Sequence, residues 1–275
     1  MDGGSHLISV GAPSKAEQEE EEEDDTAGCL GSGDGSGVSL LSSMKDHTKY
    51  VVVCRWAPDG SAFITASHDK VVTLYTLRGS GSVERGQGGA GVGGTGYEQA
   101  TRLYFPEAVE SAEFVRGEGG ALELVVSARG QPHLTYVNIE TLQQRQVSLN
   151  ENDWDTHVSF TVMALAASPD GKYILGATDK SRNILWRAGS NTRVRTLMGQ
   201  STDDYFQPRV AWEPSGLFSY CNSSGDNDVH VHCLASGRVV EQLKGHSSVV
   251  RDIHHDPSAR TLVTASYDKT VKIWG

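Results

Sequence analysis

Residues 260–274 read RTLVTASYDKTVKIW. The stretch divides into a β-rich run, a tight turn centred on Asp268, and an alternating run that closes on Trp274. Three other segments follow the same plan: AFITASHDKVVTLY (62–75), YILGATDKSRNILW (173–186) and LFSYCNSSGDNDVHVH (217–232). A weaker version lies within 110–137, where Ala128-Arg129-Gly130-Gln131-Pro132 replaces the Asp turn. Five units are visible, ending at Tyr75, Tyr136, Trp186, His232 and Trp274.

A second signal precedes four of these phrases. Ala57-Pro58-Asp59-Gly60, Ser168-Pro169-Asp170-Gly171, Glu213-Pro214-Ser215-Gly216 and Asp256-Pro257-Ser258-Ala259 are versions of one hairpin turn. Proline presets φ at the first turn position, and glycine supplies the permissive one. Pro169 to Pro214 is 45 residues and Pro214 to Pro257 is 43. The 111 residues from Pro58 to Pro169 accommodate two units and a Gly-rich insert. The 31 Gly and 8 Pro in 275 residues argue for many short strands rather than a helix bundle. A period in the forties, with four short strands per unit, predicts the blades of an all-β propeller.

The last unit carries the clearest resemblance. Gly245-His246 opens it, Ser266 lies on its second strand, Asp268 makes the turn and Ile273-Trp274 closes it. The chain resembles the WD-repeat β-propeller family over about residues 37–275. In that family His, Ser, Asp and Trp form a hydrogen-bonded network within each blade, and a buried carboxylate does need such donors. The resemblance implies a structural network of His47, Ser67 and Asp69 in the first unit, with Tyr75 in place of Trp. It implies His157, Asp179 and Trp186 in the third, and Ser224 and Asp226 in the fourth, where His232 replaces Trp. In the fifth the set is His246, Ser266, Asp268 and Trp274. Seven blades are usual in the family and about five are recognisable here, so the expected ring is small, open or incomplete. Gly37–Met44 precedes Asp46-His47 as Val239–Lys244 precedes Gly245-His246, and is expected to complete the last blade.

Two segments fall outside this scheme. Residues 1–36 join the acidic run EQEEEEEDD (17–25) to a Gly/Ser stretch and are expected to form a disordered tail. Residues 79–96 form a Gly-rich loop insert. Eight acids in the 17–25 run account for most of the net charge of −11. Such a balance does not predict direct nucleic-acid binding. Cys29, Cys54, Cys221 and Cys233 form no C-x-x-C pair, which suits a reducing, cytoplasmic or nuclear setting. The N-terminus lacks a basic segment followed by a long apolar one, so neither a signal peptide nor a membrane helix is expected.

Catalytic chemistry finds little foothold. Gly89–Gly94 matches G-x-G-x-x-G, yet no strand–turn–helix surrounds it. His230 and His232 share a strand face, and His254 adjoins His255, without further ligands at metal-site spacing. Of the first two, His232 is expected in the blade network and His230 nearer the solvent. There is no G-x-S-x-G elbow. A Ser, His and Asp set recurring in several blades reads as structural, since an enzyme needs one such site. No catalytic residue, cofactor or metal is expected.

The expected function is a scaffold for protein partners in a multiprotein complex. The side chains beside the Asp turns, His68, Thr178, Gly225 and Tyr267, should share one end of the propeller. Tyr50, Val52 and Arg251 should lie near them. Tyr50, His68, Arg251 and Tyr267 form the candidate partner patch, because interfaces favour Tyr and Arg. Two alternatives accompany this reading. Tyr75-Thr76-Leu77-Arg78 loosely resembles the phrase by which some WD-repeat proteins engage a cullin ubiquitin-ligase adaptor, which implies a substrate-recognition subunit. A small-ligand or enzymatic role in the central channel is the other.

Overall fold

The computed structural model describes residues 43–77, 97–117, 120–152, 157–203, 205–256 and 259–275. The acidic tail, the 79–96 insert and nearly all of the Gly37–Met44 strand expectation lie outside them. The described residues form nineteen strands and no α-helix. Each strand pairs antiparallel with the next within a sequential sheet.

Blade 1 contains β1 (Val51–Trp56), β2 (Ala62–Ser67), β3 (Val71–Leu77) and β4 (Tyr97–Tyr104). Blade 2 contains β5 (Val109–Arg116), β6 (Leu122–Ala128), β7 (His133–Asn138) and β8 (Gln144–Ser148). Blade 3 contains β9 (Val162–Ala167), β10 (Tyr173–Thr178), β11 (Arg182–Arg187) and β12 (Arg193–Met198). Blade 4 contains β13 (Val210–Trp212), β14 (Phe218–Asn222), β15 (Val229–Cys233) and β16 (Arg238–Leu243). Blade 5 has three described strands, β17 (Val250–Asp256), β18 (Thr261–Ser266) and β19 (Val271–Trp274). The first strands of successive blades, β1, β5, β9, β13 and β17, pack side by side in that order. The architecture is a five-bladed β-propeller.

The turns show why the chain reverses where it does. Gly60, Gly171 and Gly216 hold φ of 71°, 71° and 74°, the left-handed conformation that glycine adopts without steric cost. In the next turn, between the second and third strands of each blade, the left-handed residue is Lys70, Gly130, Ser181, Asn227 or Lys269. In blades 1 and 5 the preceding Asp pays back that conformation. Its carboxylate accepts the N–H of Val71 (3.1 Å) or Thr270 (2.8 Å) and closes the turn.

Each blade is apolar on both faces, and the core lies between blades. Ile64, Ala66, Val72 and Leu74 of blade 1 meet Val109, Ala112, Phe114 and Val137 of blade 2. Val125 and Tyr136 of blade 2 meet Val162, Ile174 and Trp186 of blade 3. Leu175 and Leu185 of blade 3 meet Trp212 and Cys221 of blade 4. Ala211 and Val229 of blade 4 meet Val250, Ile253 and Leu262 of blade 5. Burying one such aliphatic side chain is worth about 1.5–3 kcal/mol. Polar stitches cross the same interfaces: Ser127 Oγ donates to the Val162 carbonyl (2.7 Å), Trp212 Nε1 to Ala166 (3.0 Å), and Asn222 Nδ2 to Val250 (2.8 Å). Among the described residues no fifth apolar cluster joins blade 5 to blade 1.

The expectation that Tyr136 closes its unit as Tyr75 does needs correction. Tyr75 pairs with Phe63, whereas Tyr136 pairs with Val125 and faces blade 3. It therefore occupies the register position of Leu74, which pairs with Ile64.

The tightest of these packings is testable. A Cβ at Gly176 would lie 2.7 Å from the Trp186 ring and 3.0 Å from Val162 Cγ1. Gly176→Ala should cost about 1–3 kcal/mol through overpacking. A lower Tm in a thermal melt checks this.

Candidate protein-binding face

Blades 1 and 5 each fasten the turn end of their hairpins with one buried network. In blade 5, His246 Nδ1 lies 2.7 Å from Asp268 Oδ2 and Nε2 lies 2.8 Å from Thr264 Oγ1. Trp274 Nε1–H donates to the same hydroxyl at 2.9 Å. With Nδ1–H donating to the carboxylate, Nε2 accepts the Thr264 hydroxyl proton, and every member has a partner. Blade 1 repeats this with His47, Asp69 (3.0 Å) and Thr65 (2.8 Å). There Tyr75 donates instead to Asp46 Oδ2 at 2.5 Å.

The threonines were missed in the sequence, although each stands two residues before the expected serine. Ser67 and Ser266 do a different job. They accept the N–H of Asp69 and Asp268 (both 3.1 Å) and donate to the carbonyls of Lys49 and Val249. The backbone N–H groups of His68 and Tyr267 donate to Tyr50 and Val249. Each turn is thus tied to the start of its blade's inner strand.

In blades 3 and 4 the expected sets are built from other side chains. Asp179 accepts the Thr161 N–H at 2.9 Å, while His157 is exposed and its carbonyl accepts from Asn150. Trp186 Nε1 is buried without a partner. In blade 4, Asp226 pairs with His230 Nε2 at 2.7 Å rather than with His232. His230 is 2% exposed, so it is not the solvent-facing histidine of the pair. His232 contacts the Met198 carbonyl (3.2 Å) and Cys221 Sγ (3.7 Å). The two imidazoles therefore have separate partners. Ser223 supports Asp226, while the Ser224 N–H donates to Ser201. The longer turn around Gly225 moves the serine by one place.

Electrostatics follow from these contacts. The Thr270 hydroxyl, then His246 and the Thr270 and Ser247 N–H groups, hold Asp268 well below the usual carboxylate range. Burial opposes the charge of Asp69, but the Thr48 N–H and His47 outweigh it and depress its pKa. Burial pushes the thiols of Cys54 and Cys221 up to about 11 and about 12, which keeps them protonated and unreactive.

The four predicted patch residues come together as two pairs. Tyr50 and His68 belong to blade 1, and Arg251 and Tyr267 to blade 5. The Arg251 guanidinium stands 5.9 Å from the Tyr267 ring centroid. No hydrogen bond, ion pair or ring contact joins one pair to the other. Tyr50 and Tyr267 are 58% and 64% exposed. Thr178 is buried, its hydroxyl donating to the Arg182 carbonyl, so it is not part of the surface. Gly225 is exposed, and Val52 packs against the blade 1–blade 2 core.

The sequence reading passed over a third element of this end. Buried Glu110 on β5 accepts from Arg129 Nε at 2.5 Å and lies 3.4 Å from His68 Nε2, bridging the turns of blades 1 and 2. The inner strands add charge below. Arg55 Nε donates to Glu113 at 3.1 Å, and Arg209 lies 3.7 Å from Asp252. Burial lowers the pKa of Arg209; Arg251 and Arg55 act in the same direction, and Asp252 and Glu110 oppose them. Among the described residues no group of three or more His, Cys, Asp or Glu is arranged to hold a metal ion.

Comparison with known proteins matches this geometry. The model of the WD domain, G-beta repeat, fits residues 38–76 and 237–275, which include blade 1 up to Thr76 and the whole of blade 5. The chain carries WD repeats in these two segments. This WD-repeat chain is 24% identical to GID complex subunit 7 of Schizosaccharomyces pombe over 83% of its own length and 40% of that relative. It is 22% identical to the WD repeat-containing protein WDS homolog of Arabidopsis thaliana, over 88% of its own length and 50% of that relative. DDB1- and CUL4-associated factor 10 of Xenopus tropicalis is 27% identical over 50% of this chain and 30% of that relative. The chain thus spans about half or less of these relatives.

The depressed carboxylates give a pH test with a defined sign. A lowered folded pKa contributes stability above the unfolded value of about 3.9, and this is lost as pH falls through the folded value. Asp268→Asn should lower Tm at pH 7. The gap from wild type should narrow as pH falls below about 4. Melting curves across that range check it.

Proposed function

We propose that this WD-repeat chain is a non-catalytic scaffold that holds protein partners of a multiprotein complex. The observation that carries the reading is the pair of exposed, anchored aromatic sites at the turn-bearing end. Tyr50–His68 and Arg251–Tyr267 stand on turns whose backbone is bound down from behind. Arg251 forms no ion pair among the described residues, so its charge stays available. Preordered Tyr and Arg lose little entropy on binding and are the residue types that dominate interface energetics. The name of the fission-yeast relative makes it a subunit of a complex, which accords with this role. Partners are proteins, and the proposed location is the cytoplasm or nucleus. No helix of the described residues is long and apolar enough to cross a membrane.

A second reading is a substrate-recognition subunit of a cullin-type ubiquitin ligase. The similarity to DDB1- and CUL4-associated factor 10 favours it. Of the stretch singled out for that role, Tyr75 is buried against Asp46, and Arg78 lies outside the described residues.

Tagged wild-type chain and an Arg251→Ala/Tyr267→Ala variant, passed through lysate and read by mass spectrometry, separate the outcomes. The scaffold reading expects a defined protein set from wild type that the variant retains at least tenfold less, with Tm unchanged. A cullin adaptor in that set supports the second reading. Identical capture by both proteins removes the patch from consideration.

A further inference from the structure

The inner strands of blades 4 and 5 carry charge where those of blades 1 to 3 are small or apolar. Val53 pairs with Ala66, Ser111 with Ser127, Ala164 with Ala177 and Asp252 with Ala265. Arg209 holds the same place on blade 4, where its N–H donates to Asn222 Oδ1 at 2.7 Å and its carbonyl accepts the Asn222 N–H. In blades 1 to 3 this position packs on the following blade: Val53 and Ala164 join apolar clusters, and Ser111 Oγ accepts the Leu165 N–H. Two further charges stand on β-bulges of inner strands. Glu110 is the extra residue between Val109 and Ser111, and Arg251 the one between Val250 and Asp252. A bulge re-aims its side chain away from the regular alternation of the strand.

These groups share the space that the five inner strands enclose. Arg209 of blade 4 feels the charges of Arg251 and Asp252 of blade 5, Arg55 of blade 1 and Glu110 of blade 2. Among the described residues blades 2 and 4 share no apolar cluster, so Glu110 and Arg209 act on each other across the ring centre. The carboxylates there are unevenly assigned. Glu113 accepts from Arg55 at 3.1 Å, and Glu110 from Arg129 at 2.5 Å. Asp252 lies 3.7 Å from Arg209, beyond hydrogen-bond reach. The Arg209 side chain is only 15% exposed. A guanidinium so far withdrawn from water is costly without a carboxylate in hydrogen-bond contact. Arg251 is half-buried, stands 5.9 Å from the Tyr267 ring centroid and forms no ion pair among the described residues. Of the acids that act on Arg209, Asp252 is the one without a hydrogen-bonded arginine among the described residues.

We propose that Arg209 and Arg251 are the two arms of a carboxylate-binding site in the channel of the propeller. A carboxylate offers two oxygens in one plane and accepts paired N–H donors from guanidinium groups. It also carries the single charge that the site lacks: together with Asp252, two carboxylates balance two guanidinium groups. The surrounding strands exclude water, which strengthens each such bond. The carboxylate belongs either to a free small acid or to an acidic side chain of a partner protein, and the chemistry of recognition is the same. The assignment stands without the scaffold reading, since a free acid reports it in the absence of any partner.

Isothermal titration calorimetry of the full chain with sodium acetate, against sodium chloride at equal ionic strength, tests the site. Acetate should give saturable binding that chloride does not. Arg209→Gln and Arg251→Gln should each bind acetate about tenfold or more weaker. Asp252→Asn removes the competing carboxylate and should bind acetate more tightly, by about threefold or more. An Arg209–Asp252 pair with a purely structural role predicts no such gain. Lys172→Gln, which removes an exposed cation on the β9–β10 turn, should bind as wild type does. A titration with acetyl-Gly-Glu-Gly-amide, with the Gln peptide as control, identifies the source. Tighter binding of the Glu peptide than of acetate assigns the site to an acidic side chain of a partner, and equal or weaker binding assigns it to a free small acid. No binding of acetate or the Glu peptide above chloride, binding by both arginine variants equal to wild type, or no tightening in Asp252→Asn would each overturn the proposal. Should Arg209→Gln unfold, Arg251→Gln and Asp252→Asn still decide it.

Discussion

A blade of this protein has two apolar faces and no means of covering either by itself. A four-stranded antiparallel meander can shield one face with a helix or a second sheet, but here the neighbouring layer is always the next blade. Ile64, Val72 and Leu74 lose nearly all contact with water because Val109, Phe114 and Val137 lie against them. The same side-chain types at Val271 and Ile273 are 65% and 72% exposed and belong to none of the apolar clusters of the described residues. Stability is therefore a property of the stack. It also explains why the first strands gather on one side, since each interface brings β1, β5, β9, β13 and β17 alongside one another.

Within that frame the polar networks serve the turns. A His–Asp pair buried at the turn end of a blade satisfies both side chains and leaves the Asp free to accept the turn N–H groups. The turn is then rigid enough to present a side chain beside the Asp at a fixed place. His68 and Tyr267 are such side chains. Blades 3 and 4 achieve the same closure with fewer matching parts. Trp186 leaves its N–H unpaired, and Asp226 pairs with His230 of its own hairpin. The networks are interchangeable as structural devices, which accords with their recurrence and with the partner-binding role proposed for the surface above them.

Much of this was legible in the chain itself, wherever the cause was local. A Pro-Asp-Gly turn and an Asp-centred turn are decided by four or five consecutive residues, so the boundaries of most hairpins follow from them. The His47–Asp69 and His246–Asp268 pairs were also within reach, since their residues repeat at matching offsets in the first and last units. What escaped was whatever depends on register or on partners from elsewhere in the chain. Tyr75 and Tyr136 look equivalent in the sequence, but a one-residue difference in register sends a side chain to the other face of its sheet. His230 and His232 share a face and differ only in their partners, Asp226 and the Met198 carbonyl. Thr65 and Thr264 share a face with the serines two residues on, and only the packed histidine ring selects the threonine hydroxyl. Glu110 could not be read at all. Its partners Arg129 and His68 come from two different blades, and only their packing makes the carboxylate a bridge.

The sequence by itself determined that the chain is a series of β-meander units of about forty-odd residues with tight turns, since period, turn chemistry and strand composition are local properties written out unit by unit. The tertiary structure decided which faces meet. It placed the two aromatic pairs on separate blades, buried Thr178 while exposing Tyr267, and left Val271 and Ile273 of blade 5 largely exposed. Those outcomes depend on contacts between residues far apart in the chain, where hydrophobic burial acts without direction and only the assembled geometry selects the partner.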